Sequence, residues 1–560
     1  ILGFTDWLFY SRTFHIPFHF DDWFYLYNAQ WFDPIKEILK PVWYYNLTLD
    51  FYYLLMHRLF GLDPFGYWLA AHTLLVAACL VLALLIREWT GSYIIGLLAA
   101  LLLITGKPLV NIITNLWHVF WIQGLFFMLL SMLFLEFNVQ RSFRPSPYIR
   151  LFQITFILAF ISLPIILMII PAMLWMITAR RASVRLRVGA VFPILLAMVF
   201  YLVIIAGQLY DELIIASTGT SIFGPDAYEA FINSMRIYKN AFFGEANLIL
   251  ESLFLMGILF ALLFPGARIA IPVAVFIAVL SFTPFLFSHL GKIEDHYMLI
   301  PSVGISIILA ICFHFILRGL FAVADLSFKA ARKSLRGIMT QIRCRSYPLQ
   351  FSAESVRSRK TAQLIMNGVA LSIAITMVSV FLLNRYMANI EPLEGSVISI
   401  QAESAFLKSM VEFCETTEVE NVFIFELADS ACVFEPYVKD VNLARKIYGH
   451  RRDLKIPVKK IFKIHFKIPG EKMKYKRLTE DLIWTVSEAM RSKYQYIMEE
   501  ELYLSLYKDP RNLFLSFDPR SLKFEDVGRR PYSELKSLLF SLSKNDEMDG
   551  DDLNRGRSAG

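Results

Sequence analysis

The sequence predicts a polytopic α-helical membrane domain followed by a C-terminal extracytoplasmic α/β domain. Of the 560 residues, 56% are apolar and only 18% are charged, whereas roughly 25% are charged in ordinary globular chains. The mean hydropathy of +0.51 excludes a fully soluble enzyme. After residue 384 short strand patterns replace the long apolar runs, and this change predicts the second domain.

Apolar runs predict about 10–11 transmembrane helices, since each span needs about 20 apolar residues. Ile1–Tyr10 looks like the outer end of a helix whose beginning precedes the sequence. Leu151–Thr178 is too short for two full spans, so we expect two short helices broken near Ser162–Pro164 or at Pro171. The runs are Gly66–Ile86, Gly91–Thr105, Ile112–Leu135, Leu151–Thr178, Val188–Ala206, Leu248–Phe264, Ile269–Phe287, Leu299–Leu317 and Ala362–Leu383.

The distribution of Lys and Arg predicts the orientation, because these residues stay on the cytoplasmic side of short loops. Segment 318–361 holds ten such cations against two acids and is predicted to be cytoplasmic. The membrane domain is then residues 1–384. The remaining segments predicted from this orientation are the outer loops 11–64, 208–247 and 289–297, the outer α/β domain 385–542 and a disordered polar tail 543–560.

Three patterns define the α/β domain. Asn421–Glu426 and Leu513–Phe517 are typical of buried strands. Ile461–Ile468 alternates strictly and predicts a half-buried strand with Lys463 on its polar side.

The basic stretch Arg445–Arg477 is either a solvated face or a surface for anionic lipid headgroups or an acidic glycan. A nucleic-acid partner is not expected on the extracytoplasmic side.

The most informative stretch is Phe18–Tyr27, which reads FHFDDWFYLY. Asp21 and Asp22 are adjacent carboxylates placed just outside the predicted membrane. In a partly desolvated site, mutual repulsion lets one carboxylate act as a general base while the other orients it. The alternative is a helix start at the interface, with Asp as the N-cap residue.

These aspartates stand in a series of motifs that resembles the GT-C superfamily of polytopic glycosyltransferases. That group uses polyprenyl-phosphate-linked sugars and includes the protein O-mannosyltransferases and the aminoarabinose transferases of lipid A. Its acidic pair in the first outer loop is followed by a glycine- and proline-containing entry to the next span. Lys107–Gly124 and His296–Gly304 are similar to later motifs of the family. The residues that match the entry motif are Gly61, Pro64, Gly66, Tyr67 and His72.

The resemblance implies inverting transfer of a sugar from a polyprenyl phosphate, either undecaprenyl or dolichyl, to a protein, lipid or glycan acceptor. It also implies a multi-pass membrane protein that carries out this reaction on the extracytoplasmic side of its membrane. In a prokaryote this membrane is the plasma membrane. Asp21 is the expected base and Asp22 its support. The residues expected to bind the donor phosphate, the sugar or the acceptor are Arg12, Lys292, His296, Tyr297, Trp117, His118 and Trp43.

No cofactor is implied, and membrane lipids and the donor lipid are the expected partners. Glu294, Asp295 and His296 are of metal-ligand types, but their spacing matches no recognised metal site. A metal is therefore possible but not indicated.

Two other functions remain open. A transporter or lipid flippase usually carries ionisable residues in mid-membrane. The apolar runs have no Asp, Glu, Lys or Arg near their centres, and only His72 and His314 are embedded, which argues against ion coupling. A non-catalytic scaffold that presents the C-terminal domain would leave Asp21 and Asp22 unexplained.

Overall fold

The chain, described by a computed structural model, divides into two units. The structure describes residues 1–19, 21–31, 46–140, 147–179, 269–281, 295–315, 354–426, 438–450, 454–465, 476–480, 495–518, 523–528 and 530–535, with 192, 199, 236 and 537 as single residues. The first unit comprises Ile1–Ser11, Ala71–Ile113 and His118–Glu391. The second comprises Arg12–Ala70, Thr114–Trp117 and Pro392–Gly560.

Helices dominate the described residues before the sheet. The α-helices are α1 Leu2–Tyr10, α2 Asp22–Gln30, α3 Asn46–Phe60, α4 Pro64–Thr90, α5 Tyr93–Ile104, α6 Pro108–Thr114, α7 Val119–Gln140, α8 Pro147–Ser162, α9 Ile170–Ala179, α10 Ala270–Leu280, α11 Leu299–Phe315, α12 Glu354–Thr416, α13 Val438–Tyr448 and α14 Glu500–Tyr507. Short 3₁₀ helices span Ser11–His15, Leu116–His118, Pro164–Ile169 and Asp295–Met298.

Among the described residues, two helices are long and apolar enough to cross a membrane, namely Pro64–Thr90 and Leu116–Gln140. The pair α5 and α6, bent by 59°, makes a third if it forms one span. Further apolar helices are shorter, and α10 and α11 are among them. The runs Val188–Ala206 and Leu248–Phe264 lie almost entirely outside the described residues, so the full expected number of spans stays a prediction.

The predicted break in Leu151–Thr178 is confirmed at the first of its two expected positions. Helix α8 ends at Ser162, a 3₁₀ turn begins at Pro164, and α9 follows. Leu163 adopts φ −151° and ψ 89°, because the ring of a following proline disfavours helical backbone at the residue before it. Ser162 donates its hydroxyl to the carbonyl of Leu158 in the last turn of α8.

Small residues allow two helices of the first unit to approach closely. Gly304 of α11 faces the carbonyl of Ala274 and the backbone of Ala278, both in α10, and a Cβ at Gly304 would overlap these atoms. Close backbone packing of this kind is common where helices meet within membranes. Gly304 belongs to the motif His296–Gly304, and helix contact accounts for its small size.

A buried polar pair lies within the apolar helices of the first unit. His72 Nδ1 of α4 is 2.9 Å from Asp6 Oδ2 of α1, and both side chains are buried. The embedded His72 thus has an acidic partner, which lies in the short leading segment Ile1–Tyr10 and not in one of the full apolar runs.

The C-terminal part forms a six-stranded sheet. Its strands are β1 Asn421–Glu426, β2 Lys460–His465, β3 Lys476–Arg477, β4 Gln495–Ile497, β5 Asn512–Asp518 and β6 Lys523–Asp526, in the order β3-β4-β2-β1-β5-β6. Among the described strands, β6 pairs antiparallel with β5 and the other pairs are parallel. Phe423 stacks between its two register partners, with ring centroids 5.3 Å from Phe462 and 4.9 Å from Phe514. The predicted strands at Asn421–Glu426 and Leu513–Phe517 are confirmed.

The strand predicted at Ile461–Ile468 exists as β2 over Lys460–His465, and the expectation of a solvent-facing side was wrong at Lys463. Lys463 is as buried as its neighbours Phe462 and Ile464. β2 lies inside the sheet between β1 and β4, and internal strands of parallel sheets are commonly covered on both faces. Residues 481–494 and the tail 543–560 lie outside the described residues.

Candidate active site around the paired aspartates

Asp21 and Asp22 lie at the beginning of α2 in the second unit. Asp21 occupies the N-cap position, but its side chain makes no capping hydrogen bond. Instead, Asp22 Oδ2 accepts a hydrogen bond of 3.0 Å from the backbone N–H of His19. Helix capping by Asp21 therefore does not account for the pair.

Asp22 is fully buried in a cage of hydrogen-bond donors. Tyr53 donates its hydroxyl to Asp22 Oδ1 at 2.5 Å, and the His19 ring lies 3.4 Å from Oδ2. Burial raises the pKa of Asp22 above its ordinary value, whereas the His19 ring, the Tyr53 hydroxyl and the His19 N–H each lower it. These contacts fix the orientation of the carboxylate and leave it inaccessible to a substrate.

Asp21 has the opposite environment. Its side chain is 49% exposed, and Lys439 Nζ lies 3.2 Å from Asp21 Oδ1. Asp21 Oδ2 makes no hydrogen bond or ion pair with a residue in the described part of the chain. The two adjacent carboxylates thus divide into one that is fixed and one that solvent and a substrate can reach.

Segments that are distant in sequence meet around Asp22. His19 Nε2 lies 3.0 Å from Asn115 Oδ1, which belongs to the motif Lys107–Gly124. Trp68, which follows the entry motif residue Tyr67, donates its indole N–H to the carbonyl of Ile16 at 2.8 Å. The second unit therefore brings together residues from three of the motifs that carry the sequence resemblance.

Local backbone geometry and packing explain why glycine occupies two positions of the entry motif, Gly61 and Gly66. Gly61 ends α3 with φ +60°, a conformation that glycine adopts without steric cost. Its carbonyl accepts a hydrogen bond of 2.9 Å from the hydroxyl of Tyr67. A Cβ at Gly66 would overlap the ring of Phe60. Both glycines therefore shape the turn that places Tyr67 against α3.

The C-terminal part of the second unit contributes α13 to this region. The rings of Trp23 and Tyr448 lie 5.7 Å apart, and Gln30 Nε2 is 2.8 Å from His450 Nδ1. Asp440 is buried beside Lys439, and burial raises the pKa of Asp440 to about 7, with Lys439 lowering it and Asp21 and Asp22 raising it further. Sequence reasoning missed Lys439 and Asp440, because no local pattern distinguishes them from other charged residues of an amphipathic helix.

The other predicted site residues have separate environments. Arg12 forms an ion pair with Glu394 in the second unit, which also contains Trp117. In the first unit, the ring of Tyr297 lies 5.7 Å from Trp121, and His118 is buried with its ring 6.4 Å from Phe120. Trp43 and Lys292 fall outside the described residues. His296 is described in its backbone alone.

No metal site is found among the described residues. Nowhere in those ranges do three His, Cys, Asp or Glu side chains group as a metal ion requires. Glu294 lies outside the described ranges, as do the side chains of Asp295 and His296.

The chain is similar to several solved structures, whereas no family model and no curated protein matches the sequence. The chain is similar to ArnT from Cupriavidus metallidurans bound to undecaprenyl phosphate, with 13% identity, a TM-score of 0.40 and coverage of 93% of this chain and 92% of that one. It is also similar to the oligosaccharyltransferase of Archaeoglobus fulgidus, with 12% identity, a TM-score of 0.40 and coverage of 80% and 62%.

Proposed function

We propose that the protein is a GT-C glycosyltransferase that moves a sugar, with inversion, from a polyprenyl-phosphate donor to a protein, lipid or glycan acceptor. The observation that carries the proposal is the different environment of the two adjacent aspartates. Asp22 is enclosed by Tyr53 and His19, whereas Asp21 is half-exposed. A general base needs both a fixed position and access to the acceptor. The buried Asp22 supplies the fixed position, and the half-exposed Asp21 supplies the access.

Asp21 is the base in this mechanism. An acceptor hydroxyl or amine attacks the anomeric carbon from the face opposite the phosphate, and Asp21 takes its proton. The bond between the anomeric carbon and the phosphate oxygen breaks, and polyprenyl phosphate leaves with that electron pair. Because the phosphate is already a good leaving group, catalysis consists mainly of positioning and charge stabilisation.

Cations near the leaving phosphate would stabilise its charge. Lys292 and His296 remain predictions for this role. Arg12 is engaged by Glu394, so it would have to exchange partners to reach a phosphate. Trp43, Trp117, His118 and Tyr297 remain predictions for contact with the sugar or the acceptor.

We place this reaction on the extracytoplasmic side. Helix α2, which follows Asp21, and α13 of the C-terminal domain pack together within one unit, so they share a side of the membrane. The cations of segment 318–361 assign the opposite side to the cytoplasm.

Two experiments test the proposal. Mass spectrometry of glycans and lipid-linked sugars, in cells with and without the gene, identifies the donor and the acceptor.

Purified protein is then assayed for transfer, and D21N is expected to abolish it. D509N is a matched control, because Asp509 is another exposed carboxylate held by a cation, Arg511, at 3.0 Å. Full activity of the D21N/D22N double variant would overturn the proposal.

The buried pair of Asp6 and His72 favours a transporter as the second candidate, since ionisable groups among apolar helices often couple ions. The two functions make opposite predictions. In a transporter, D6N stops uptake into proteoliposomes and D21N leaves it intact. In a glycosyltransferase, D21N stops sugar transfer, whereas D6N changes mainly the stability of the protein.

A further inference from the structure

We propose that Lys439 of the C-terminal α/β domain is a positioning residue for Asp21, so that this domain completes the active site through α13. The inference rests on the proposed function, in which Asp21 is the base. It adds a residue that lies 418 positions away in sequence and belongs to no motif of the resemblance.

The geometry of Lys439 carries the proposal. Its ammonium lies 3.2 Å from Asp21 Oδ1 and 5.0 Å from the ring centroid of Phe24, one turn further along α2. The carboxylate and the aromatic face together hold the ammonium in one place, since both attract a cation. With Oδ1 held by Lys439, Oδ2 remains for the proton of an acceptor.

Helix α13 is itself fixed against α2, so Lys439 has a rigid base. Lys446, two turns after Lys439, places Nζ 5.3 Å from the ring centroid of Tyr27. Tyr448 packs on Trp23, and His450 contacts Gln30. These contacts follow α2 over most of its length.

Lys439 differs from the other cations of α13. Arg445 donates to the carbonyl of Ile456 within the C-terminal domain, and Lys446 lies over an aromatic ring. Among the described residues, only Lys439 of this helix forms an ion pair with a carboxylate.

Stability does not explain the contact between Lys439 and Asp21. Their side chains are 58% and 49% exposed, and ion pairs at such exposure contribute little to folding because solvent screens them. A small misplacement of a catalytic group, in contrast, lowers the rate strongly. The pair is therefore best explained by what it does to the orientation of Asp21.

The contact can be tested without an activity assay. A zero-length carbodiimide joins an amine to a carboxylate only when the two touch. In the full-length detergent-solubilised protein, we expect a cross-linked peptide pair that contains Asp21 and Lys439, and we expect its loss in D21N and in K439M. Absence of this cross-link from the wild-type protein would overturn the proposal.

Kinetics test the positioning role. K439M is expected to lower kcat by about 10- to 100-fold with the KM for the donor unchanged, because the base is misoriented while donor binding is not. K439R restores the charge and is expected to recover most of the rate. R511M is the matched control, since Arg511 lies outside the basic stretch Arg445–Arg477 and forms an exposed ion pair of 3.0 Å with Asp509.

The outcomes separate this inference from the proposed function. If D21N is inactive but K439M behaves like wild type, the positioning role is overturned and the proposed function stands. If K439M lowers kcat and K439R does not recover it, loss of the charge is not the cause and the inference fails. If D21N is fully active, both fail.

Discussion

The hydroxyl of Tyr53 donates to the carboxylate of Asp22 over 2.5 Å, and both side chains are fully buried. This bond ties α3 to the first residue of α2. Because Asp21 directly precedes Asp22, the backbone of Asp21 is placed by the same contact. The buried carboxylate thus acts as a structural anchor for its exposed neighbour.

Substitution of the two aspartates should separate activity from stability. D21N removes an exposed carboxylate and is expected to abolish transfer while changing the free energy of unfolding by no more than about 0.5 kcal/mol. D22A leaves the Tyr53 hydroxyl and the His19 N–H buried without their acceptor and is expected to destabilise the protein by about 1–3 kcal/mol for each group. Thermal unfolding and a transfer assay on both variants check this. Equal melting temperatures for D21N and D22A would contradict it.

Loss of the Tyr53 hydroxyl should be costly because its acceptor is a carboxylate. Y53F is expected to destabilise the protein by about 1.5–3 kcal/mol and to slow transfer, because the hydroxyl lowers the pKa of Asp22 and fixes its position. Y52F is the control, since Tyr52 donates to the neutral carbonyl of Tyr67. Its expected cost is about 0.5–1.5 kcal/mol. A melting temperature for Y53F at or above that of Y52F would refute the anchoring role.

Local features of the fold were predictable from the sequence. A proline dictates the break after Ser162, since it removes a backbone donor and disfavours helix at Leu163. Buried runs identified β1 and β5, and adjacent acids in an aromatic segment singled out Asp21 and Asp22. Each of these signals lies within a few residues of the feature that it predicts.

Contacts between distant residues were not predictable. Asp6 and His72 are 66 positions apart, and Asp21 and Lys439 are 418 apart. A single sequence shows periodicity and composition, and neither specifies which helix packs on which. The same reason explains Lys463, whose burial depends on the internal position of β2 in the sheet and not on the alternation of its own strand.

Helix packing in the first unit should depend on Gly304. G304A places a methyl group against the Ala274 carbonyl and the backbone of Ala278, so the helices must separate and the melting temperature should fall. G395A, at an equally helical position with open space around it, should be neutral or stabilising by up to about 1 kcal/mol. Thermal unfolding in one detergent compares them. Equal melting temperatures would show that α10 and α11 do not pack as closely as described.

Asp440 should make stability depend on pH. Burial raises its pKa from 3.8 to about 7, with Lys439 opposing the rise and Asp21 and Asp22 adding to it. The folded state therefore holds the proton more tightly than the unfolded state, so the contribution of Asp440 to stability is complete below about pH 4 and is lost as the pH rises through about 7. D440N cannot ionise. Its melting temperature relative to wild type should increase from pH 5 to pH 8 and then level off.

A second carboxylate provides the control for this measurement. The hydrogen bonds from Arg511 lower the pKa of Asp509, so Asp509 is ionised in both the folded and the unfolded state between pH 5 and 8. The difference between D509N and wild type should therefore stay constant over that range. If the difference for D440N is equally constant, Asp440 does not titrate near neutral pH, and the carboxylate of Asp440 is not enclosed against Lys439 and α2 in the folded protein.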